Sequence, residues 1–417
     1  MGRGLQFLKL ASQLGGAEIK KRLSTTGDIK TQLDQAKLLV ESLGRLKGAA
    51  MKVGQLLSVE ARDLLPPEVI AILGQLQDRA PPVGYSVMKG VLQSELGEKL
   101  SELSQFNEVA IASASMGQVY RARLGPNDVA IKVQYPGINE SVVSDLAVLR
   151  TLTSTFLKLG GRQVDIDPLF EELKLILESE ADYQVECQNL KAYREFFLSD
   201  SNFVVPKVFD DFCTKRVLCM SFEQGLTLDA FLATHPSLET RNKFGRCALD
   251  AYTREFFEAG LVQTDPNFGN FLFRLDPEQL VLLDLGAVKR YSPEFRKDYR
   301  HLLKVMREGS TQDLLDVAVD QMNLLKPGES NECLLAFADM LKTSIEPFNP
   351  SRQPFNFADQ DYSNEVRSKA AAFTKLVRKS APPHQIIFLH RKLGGVFALL
   401  RSLKVSIDLE PYWDRAV

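Results

Sequence analysis

Between Ile29 and Ala61 the apolar positions Leu33, Ala36, Leu39, Leu43, Leu46, Ala50, Val53 and Leu57 recur at intervals of three and four, which predicts one long amphipathic helix. Leu64-Leu65-Pro66-Pro67 closes it, and a second helical stretch follows from Glu68 to Leu76. A third is expected from Tyr85 to Leu96, with Gly97 as its stop. The pattern then changes period. Strand character begins around Val109 to Ile111 and returns over Gln118–Leu124 and Val129–Gln134, with Gly125-Pro126-Asn127-Asp128 as the turn of a hairpin. Helical segments are expected over Glu140–Leu159 and Pro168–Phe197, and strands over Phe203–Phe209 and Arg216–Ser221. From Leu228 onward the chain reads as helical, apart from short strands. This order predicts a small mixed lobe over a larger helical one, preceded by a helical extension. The polar stretch Asn349 to Ser363 is the expected mobile loop.

Composition narrows the classes. The 417 residues are 45% hydrophobic, enough to bury a large core, and the formal net charge of −2 argues against a broadly basic nucleic-acid binder. Arg3, Lys9, Lys20, Lys21, Arg22, Lys30, Lys37, Arg45, Lys47 and Lys52 outnumber the acids at the start of the chain. An anionic surface could meet that end, and a solvated helical face explains the same charges equally well. Five scattered cysteines without C-x-x-C spacing point to a reducing compartment. No apolar run approaches the ~20 residues a membrane-spanning helix needs. Gly2 to Leu14 is basic with interspersed leucines, which fits a membrane-lying helix or a frayed terminus, and Gly2 lacks the downstream Ser or Thr of a myristoylation signal.

The chemistry concentrates in Gln263-Thr264-Asp265-Pro266-Asn267-Phe268-Gly269-Asn270, followed by Asp284-Leu285-Gly286. A carboxylate five residues before an amide, then D-x-G, is the arrangement of a kinase-like ATP site: Asp265 beside the attacking oxygen, Asn270 and Asp284 on Mg²⁺. Upstream, Val129-Ala130-Ile131-Lys132 supplies a phosphate-pairing lysine. Before it, Ala112, Ser113, Ala114, Ser115, Gly117 and Val119 keep the spacing of a glycine-rich phosphate loop, with alanines in place of its first two glycines. Each added Cβ limits how closely the backbone approaches phosphate, so the triphosphate is expected to sit differently here. Glu186 is the preferred partner of Lys132 among the acids Glu178 to Glu186, although a surface acidic helix would look similar. Leu218 to Gly225 is the expected adenine hinge, and Ala130, Met220 and Phe222 complete the nucleotide-binding set.

On these motifs, together with Lys52-Val53-Gly54-Gln55, Ala112-Ser113-Ala114-Ser115 and Glu180-Ala181-Asp182, the chain resembles the UbiB/ADCK family of atypical kinases. The resemblance runs from about Leu43 to Phe388–Gly394. It implies an α+β, protein-kinase-like bilobal fold: a helical extension at 1–107 with the K-x-G-Q helix, a small lobe at 108–225 with a helical insertion, and a helical large lobe at 226–417. It implies ATP and Mg²⁺ as cofactors, slow ATP hydrolysis, and support of ubiquinone or related prenyl-quinone biosynthesis near a membrane. Lys52 and Gln55, one turn apart, would fold over the site and pair with Glu180 or Asp182 as a regulatory contact. Expected partners are ATP/ADP, an anionic phospholipid surface, and quinone-biosynthesis proteins or lipid intermediates. Nucleic acid is not among them, and a homodimer stays open. The expected location is cytoplasmic, peripheral on the inner membrane face, with the mitochondrial matrix as the alternative.

Two departures matter. Gln263 stands where ordinary kinases have the catalytic-loop histidine, and Asn267 where they place a lysine two residues after the aspartate. No A-P-E anchor follows Gly286 in the expected place, and this absence together with that of the lysine argues against peptide phosphorylation. A nucleotide-gated scaffold without catalysis and a true protein kinase are the alternatives to an ATPase or small-molecule kinase.

Overall fold

A hairpin organises the small lobe. The computed structural model describes residues 83–114, 116–138, scattered positions between 142 and 154, 166–265, 267–377 and 384–417. All elements below belong to one unit, Pro82–Glu140 with Asp165–Val417. Lys52, Gln55 and Ser115 lie outside the described residues, as do the helices expected before residue 83 and most of that expected over 140–159.

Helix α1 (Tyr85–Leu96) forms where the periodicity predicts it and stops at Gly97, whose φ of +54° favours a residue without a Cβ. Its apolar face, Met88, Val91, Leu92 and Leu96, is buried. Arg216 holds it to the sheet through a 2.7 Å ion pair with Glu95. The sheet is antiparallel. Strands β1 (Leu103–Ser104) and β2 (Ala112–Ala114) both pair with β3 (Gly117–Leu124), which pairs with β4 (Asn127–Gln134). The register Leu124↔Asn127 leaves Gly125 and Pro126 as the turn. The strand expected at Val109–Ile111 begins instead at Ala112, with only Ile111 joining by a backbone bond to Val119.

The segment expected as one helix over Pro168–Phe197 is two: α2 (Asp167–Glu180) and α3 (Tyr183–Phe197). Asp182 breaks it by turning extended and accepting a hydrogen bond from the Gln184 backbone N–H at 3.0 Å, an N-cap that starts a new helix. The expected strand Phe203–Phe209 shrinks to β5 (Phe203–Val204), parallel to a later strand, while β6 (Val217–Ser221) closes the sheet beside β4.

Beyond β6 the large lobe packs on helix α5 (Leu238–Thr253), reached through α4 (Leu228–Ala233). Phe231 and Phe273 stack there and Phe244 meets both edge-on, with ring centroids 4.7–5.1 Å apart. After α5 the backbone widens into a π turn, Arg254–Ala259. Short strands follow: β7 (Leu261–Gln263), the hairpin β8 (Phe271–Leu275) and β9 (Glu278–Leu282), and β10 (Val288–Arg290), which pairs back to β7. Helices α6 (Pro293–Glu308), α7 (Thr311–Leu315) and α8 (Asn331–Ser344) come next.

The stretch 349–363, expected to be mobile, is anchored. Strand β11 (Phe355–Asn356) pairs with a strand near the C-terminus, and Phe355 and Phe357 are buried among aromatic rings. Its polar composition conceals two apolar residues spaced to face one side. Helices α9 (Asp361–Leu376) and α10 (His384–Leu403), strand β12 (Ser406–Ile407) and α11 (Glu410–Ala416) complete the lobe. Among the described residues, no helix is long and apolar enough to cross a membrane.

Candidate active site

Strand register assembles the first wall. Val119↔Lys132↔Leu218 and Arg121↔Ala130↔Met220 are cross-strand rows two residues apart, so Val119, Ala130, Lys132 and Met220 share one sheet face. Phe222 follows β6, its N–H bonded to the Asp128 carbonyl at 2.9 Å and its ring under the Arg121 guanidinium at 4.4 Å. Ala112, Ser113 and Ala114 lie in β2 over Val119, Gln118 and Gly117. A Cβ on Gly117 would sit 2.3 Å from the Val133 carbonyl oxygen and 2.7 Å from the Tyr183 hydroxyl, so only glycine fits. The two alanines therefore occupy a paired strand, and the glycine that survives is the one the packing requires.

Lys132 is the centre. Its ammonium donates to Glu186 Oε1 and Oε2 at 2.9 and 2.8 Å and to Asp284 Oδ2 at 3.0 Å, and lies 5.1 Å from the Tyr183 ring centroid. Burial would lower the Lys132 ammonium, but Asp284 and then Glu186 outweigh it and raise it well above the usual lysine range. Burial pushes Glu186 up to about 7, opposed by Lys132 and reinforced by the charges of Asp284 and Glu180. The lysine thus stays charged while its buried carboxylate partner is the group poised near neutrality. One stripe of α3 builds this: Tyr183, Glu186 and Asn189 are three residues apart, and Asn189 Nδ2 donates to the Leu285 carbonyl at 2.9 Å. Glu180 ends α2 and Asp182 caps α3; the expected contact from Lys52 and Gln55 lies outside the described residues.

The second wall is the loop after β7. Thr264 N–H and Oγ1 both donate to the Ala287 carbonyl, at 2.8 and 3.1 Å, fixing the chain just before Asp265. Asp265 Oδ1 accepts from the Asn267 N–H at 3.3 Å, and Asn270 Nδ2 donates to the Asp265 carbonyl at 3.3 Å. Asn267 Oδ1 accepts from Gly269 N–H at 2.9 Å, so this side chain builds the loop. The β8–β9 ladder brings Asn270 across from Leu283, the residue before Asp284: Phe271 pairs with Leu282, and Leu283 N–H donates to the Asn270 carbonyl at 2.9 Å. Asp284 Oδ1 is held by the Gly286 N–H at 3.0 Å. With its Nδ2 bonded to the loop, Asn270 offers its amide oxygen as the ligand-type atom, and Asp284, one residue past its cross-strand neighbour Leu283, offers a carboxylate. Two such oxygens suit a hard cation that takes its other ligands from phosphate and water.

Support for the loop comes from residues the sequence reading did not single out. Lys392 on α10 donates to Gln263 Oε1 at 3.1 Å and pairs with Glu255 at 3.3 Å, and Glu255 accepts from the Gln263 N–H at 3.3 Å. Both charged side chains are at most 4% exposed. Gln263, at the histidine position, is therefore held by a buried ion pair reaching in from the π turn and from α10. The adjacent Arg391 approaches Asp265 Oδ1 at 3.7 Å. The only sequence signal for Arg391 and Lys392 was that Phe388–Gly394 closed the stretch of family resemblance.

Residues 75–318 match the ABC1 atypical kinase-like domain. Relatives include the mitochondrial atypical kinase COQ8 of Saccharomyces cerevisiae, 30% identical over 88% of this chain and 73% of the relative. The mitochondrial atypical kinase COQ8B of Danio rerio is 31% identical over 89% and 59%, and the probable serine/threonine-protein kinase abkA of Dictyostelium discoideum 29% identical over 97% and 76%. The solved complex of Rv3197 with erythromycin from Mycobacterium tuberculosis superposes with a TM-score of 0.63 at 26% identity, covering 92% of this chain and 95% of that one. A lysine strand, a carboxylate helix and paired catalytic and metal-type loops in kinase order, matched over more than half the chain, mean that this chain has a kinase-like fold and belongs to the ABC1 atypical kinase-like family.

Proposed function

We propose that this chain is a Mg²⁺-dependent ATPase or small-molecule kinase that supports ubiquinone or a related prenyl-quinone biosynthesis at an anionic membrane surface. The observation that carries this reading is Lys132, held at once by Glu186 and Asp284 at 2.8 and 3.0 Å. That is the geometry in which a kinase-like lysine can pass from a carboxylate to a phosphate without leaving the site.

In this reading the sheet face with Val119, Ala130 and Met220 receives adenine together with Phe222, and the β2–β3 hairpin covers the phosphates. Lys132 orients them, kept in place by Glu186. Asp265 orients the attacking hydroxyl or water and accepts its proton, and Asn270 and Asp284 hold Mg²⁺. A divalent cation held by Asn270 and Asp284 would offset the charge of the phosphates. Peptide transfer is disfavoured because the chain passes from Gly286 through β10 directly into α6 at Pro293, leaving no long segment on which a peptide could dock. The mitochondrial relatives favour the matrix alternative for the compartment. Lys52 and Gln55 would regulate access by pairing with Glu180 or Asp182.

The test is ATP turnover by the purified protein, with and without anionic vesicles and prenylated phenols. Asp265→Asn is expected to lower turnover by about 10²-fold or more with nearly unchanged MgATP affinity. Asp284→Asn is expected to remove MgATP stabilisation in thermal-shift titration. Wild-type behaviour in both variants would sink the assignment.

A further inference from the structure

Ordinary protein kinases place a lysine two residues after the catalytic aspartate, and this loop brings no cation of its own: Asn267, at that position, uses its side chain on the Gly269 N–H. The nearby cation comes from a helix more than a hundred residues later. Arg391 Nη2 lies 3.7 Å from Asp265 Oδ1, with side chains only 8% and 13% exposed. At that range the pair is ionic rather than hydrogen-bonded, as expected of a catalytic contact that tightens when ligand arrives.

The register of α10 makes this contact dependable. Lys392, the next residue, is locked to Glu255 and Gln263 in the interior. Neighbouring helical residues point about 100° apart, so fixing Lys392 on Gln263 directs Arg391 to a second point on the same loop, two residues further along. Phe388, Leu389 and Val396 on the same helix are buried, which holds its height. On the loop side, the Asn267 N–H and the Arg391 guanidinium both address Oδ1 of Asp265. Two contacts on one oxygen set the plane of the carboxylate, which is what a base must have fixed before a hydroxyl arrives.

We propose that Arg391 is a positioning residue for Asp265, supplying from α10 the cation that the catalytic loop lacks. The inference rests on the reading of Asp265 as the group that orients the nucleophile. It acts through that carboxylate rather than on the nucleotide, so its loss should change turnover and not ATP affinity.

The experiment uses the full chain. Arg391→Gln is expected to lower kcat for MgATP by about ten- to a hundredfold while KM changes by less than about threefold. At 3.7 Å the contact is one of charge, so Arg391→Lys, which keeps the cation, should restore most of the loss. Arg391→Ala should regain turnover with millimolar guanidinium and not with urea. A double-mutant cycle on unfolding midpoints, Asp265→Asn with Arg391→Gln, should be non-additive, and it needs no turnover. Full activity in Arg391→Gln, a loss confined to KM, or additive midpoints would overturn the inference. If the wild type hydrolysed no ATP while the cycle remained non-additive, the proposed function would fail and the pairing would stand.

Discussion

Lys132 and Glu186 are buried together, and the carboxylate bears the strain of that placement. Its proton is held up to about 7 by burial and by the charge of Asp284, against an ordinary value of about 4.5. The folded state therefore binds more protons than the unfolded chain between about pH 4.5 and 7, and this group's contribution to stability falls as pH rises through that window. Glu186→Gln should flatten the decline, so that the variant gains on the wild type at pH 8 relative to pH 5 in thermal unfolding; parallel curves would refute it. Lys392 and Glu255 form a second buried pair. Lys392→Met should cost about 3–5 kcal/mol by leaving Glu255 unpaired, and Glu255→Leu in the same chain should recover much of it, as read from denaturant midpoints. Asp265, Asn270 and Asp284 were legible as candidates because their chemistry dictates short, ordered spacings, and Lys132 because it ends the strand motif Val129-Ala130-Ile131-Lys132. Arg391 and Lys392 were not, because a helix that meets the loop after a gap of more than 120 residues leaves no spacing to read.

At the scale of elements, α3 carries the most consequence per turn. Tyr183, Glu186 and Asn189 face the lysine strand on one side and the Asp284 segment on the other, and Asp182 sets where that stripe begins. Asp182→Ala should cost about 1 kcal/mol by removing the N-cap, and Asn189→Leu about 1–3 kcal/mol by leaving the Leu285 carbonyl without its donor. Both should also raise hydrogen exchange across residues 183–190, and unchanged exchange there would separate the helix start from the site. The break between α2 and α3 escaped the sequence reading because apolar periodicity continues across it. Asp182 stands among several acids, where its charge masks its role as a cap. Around 349–363 the error ran the other way: polar composition suggested mobility, while Phe355 and Phe357 were enough to tie the segment down.

For the molecule as a whole, the C-terminal elements are part of the catalytic body although the family match ends at residue 318. Phe388, Leu389, Leu399, Leu400 and Leu403 are each at most 2% exposed, and Arg300 donates to the carbonyls of Arg415 and Ala416 at 2.7 and 2.8 Å. Burying each such side chain is worth about 1.5–3 kcal/mol. Together they rival the ~5–15 kcal/mol by which a whole domain is stable. A chain ending before residue 384 should therefore show no cooperative unfolding by circular dichroism; a sharp transition would mean that the large lobe stands without them. The small lobe meets this body through Lys132, whose ammonium is shared between a carboxylate on α3 and one on the metal-type loop. Such sharing closes a thermodynamic square. A ligand that draws the lysine off Asp284 makes that carboxylate a better site for a cation, and the cation must favour that ligand by the same factor, since both routes around the square end at the same free energy.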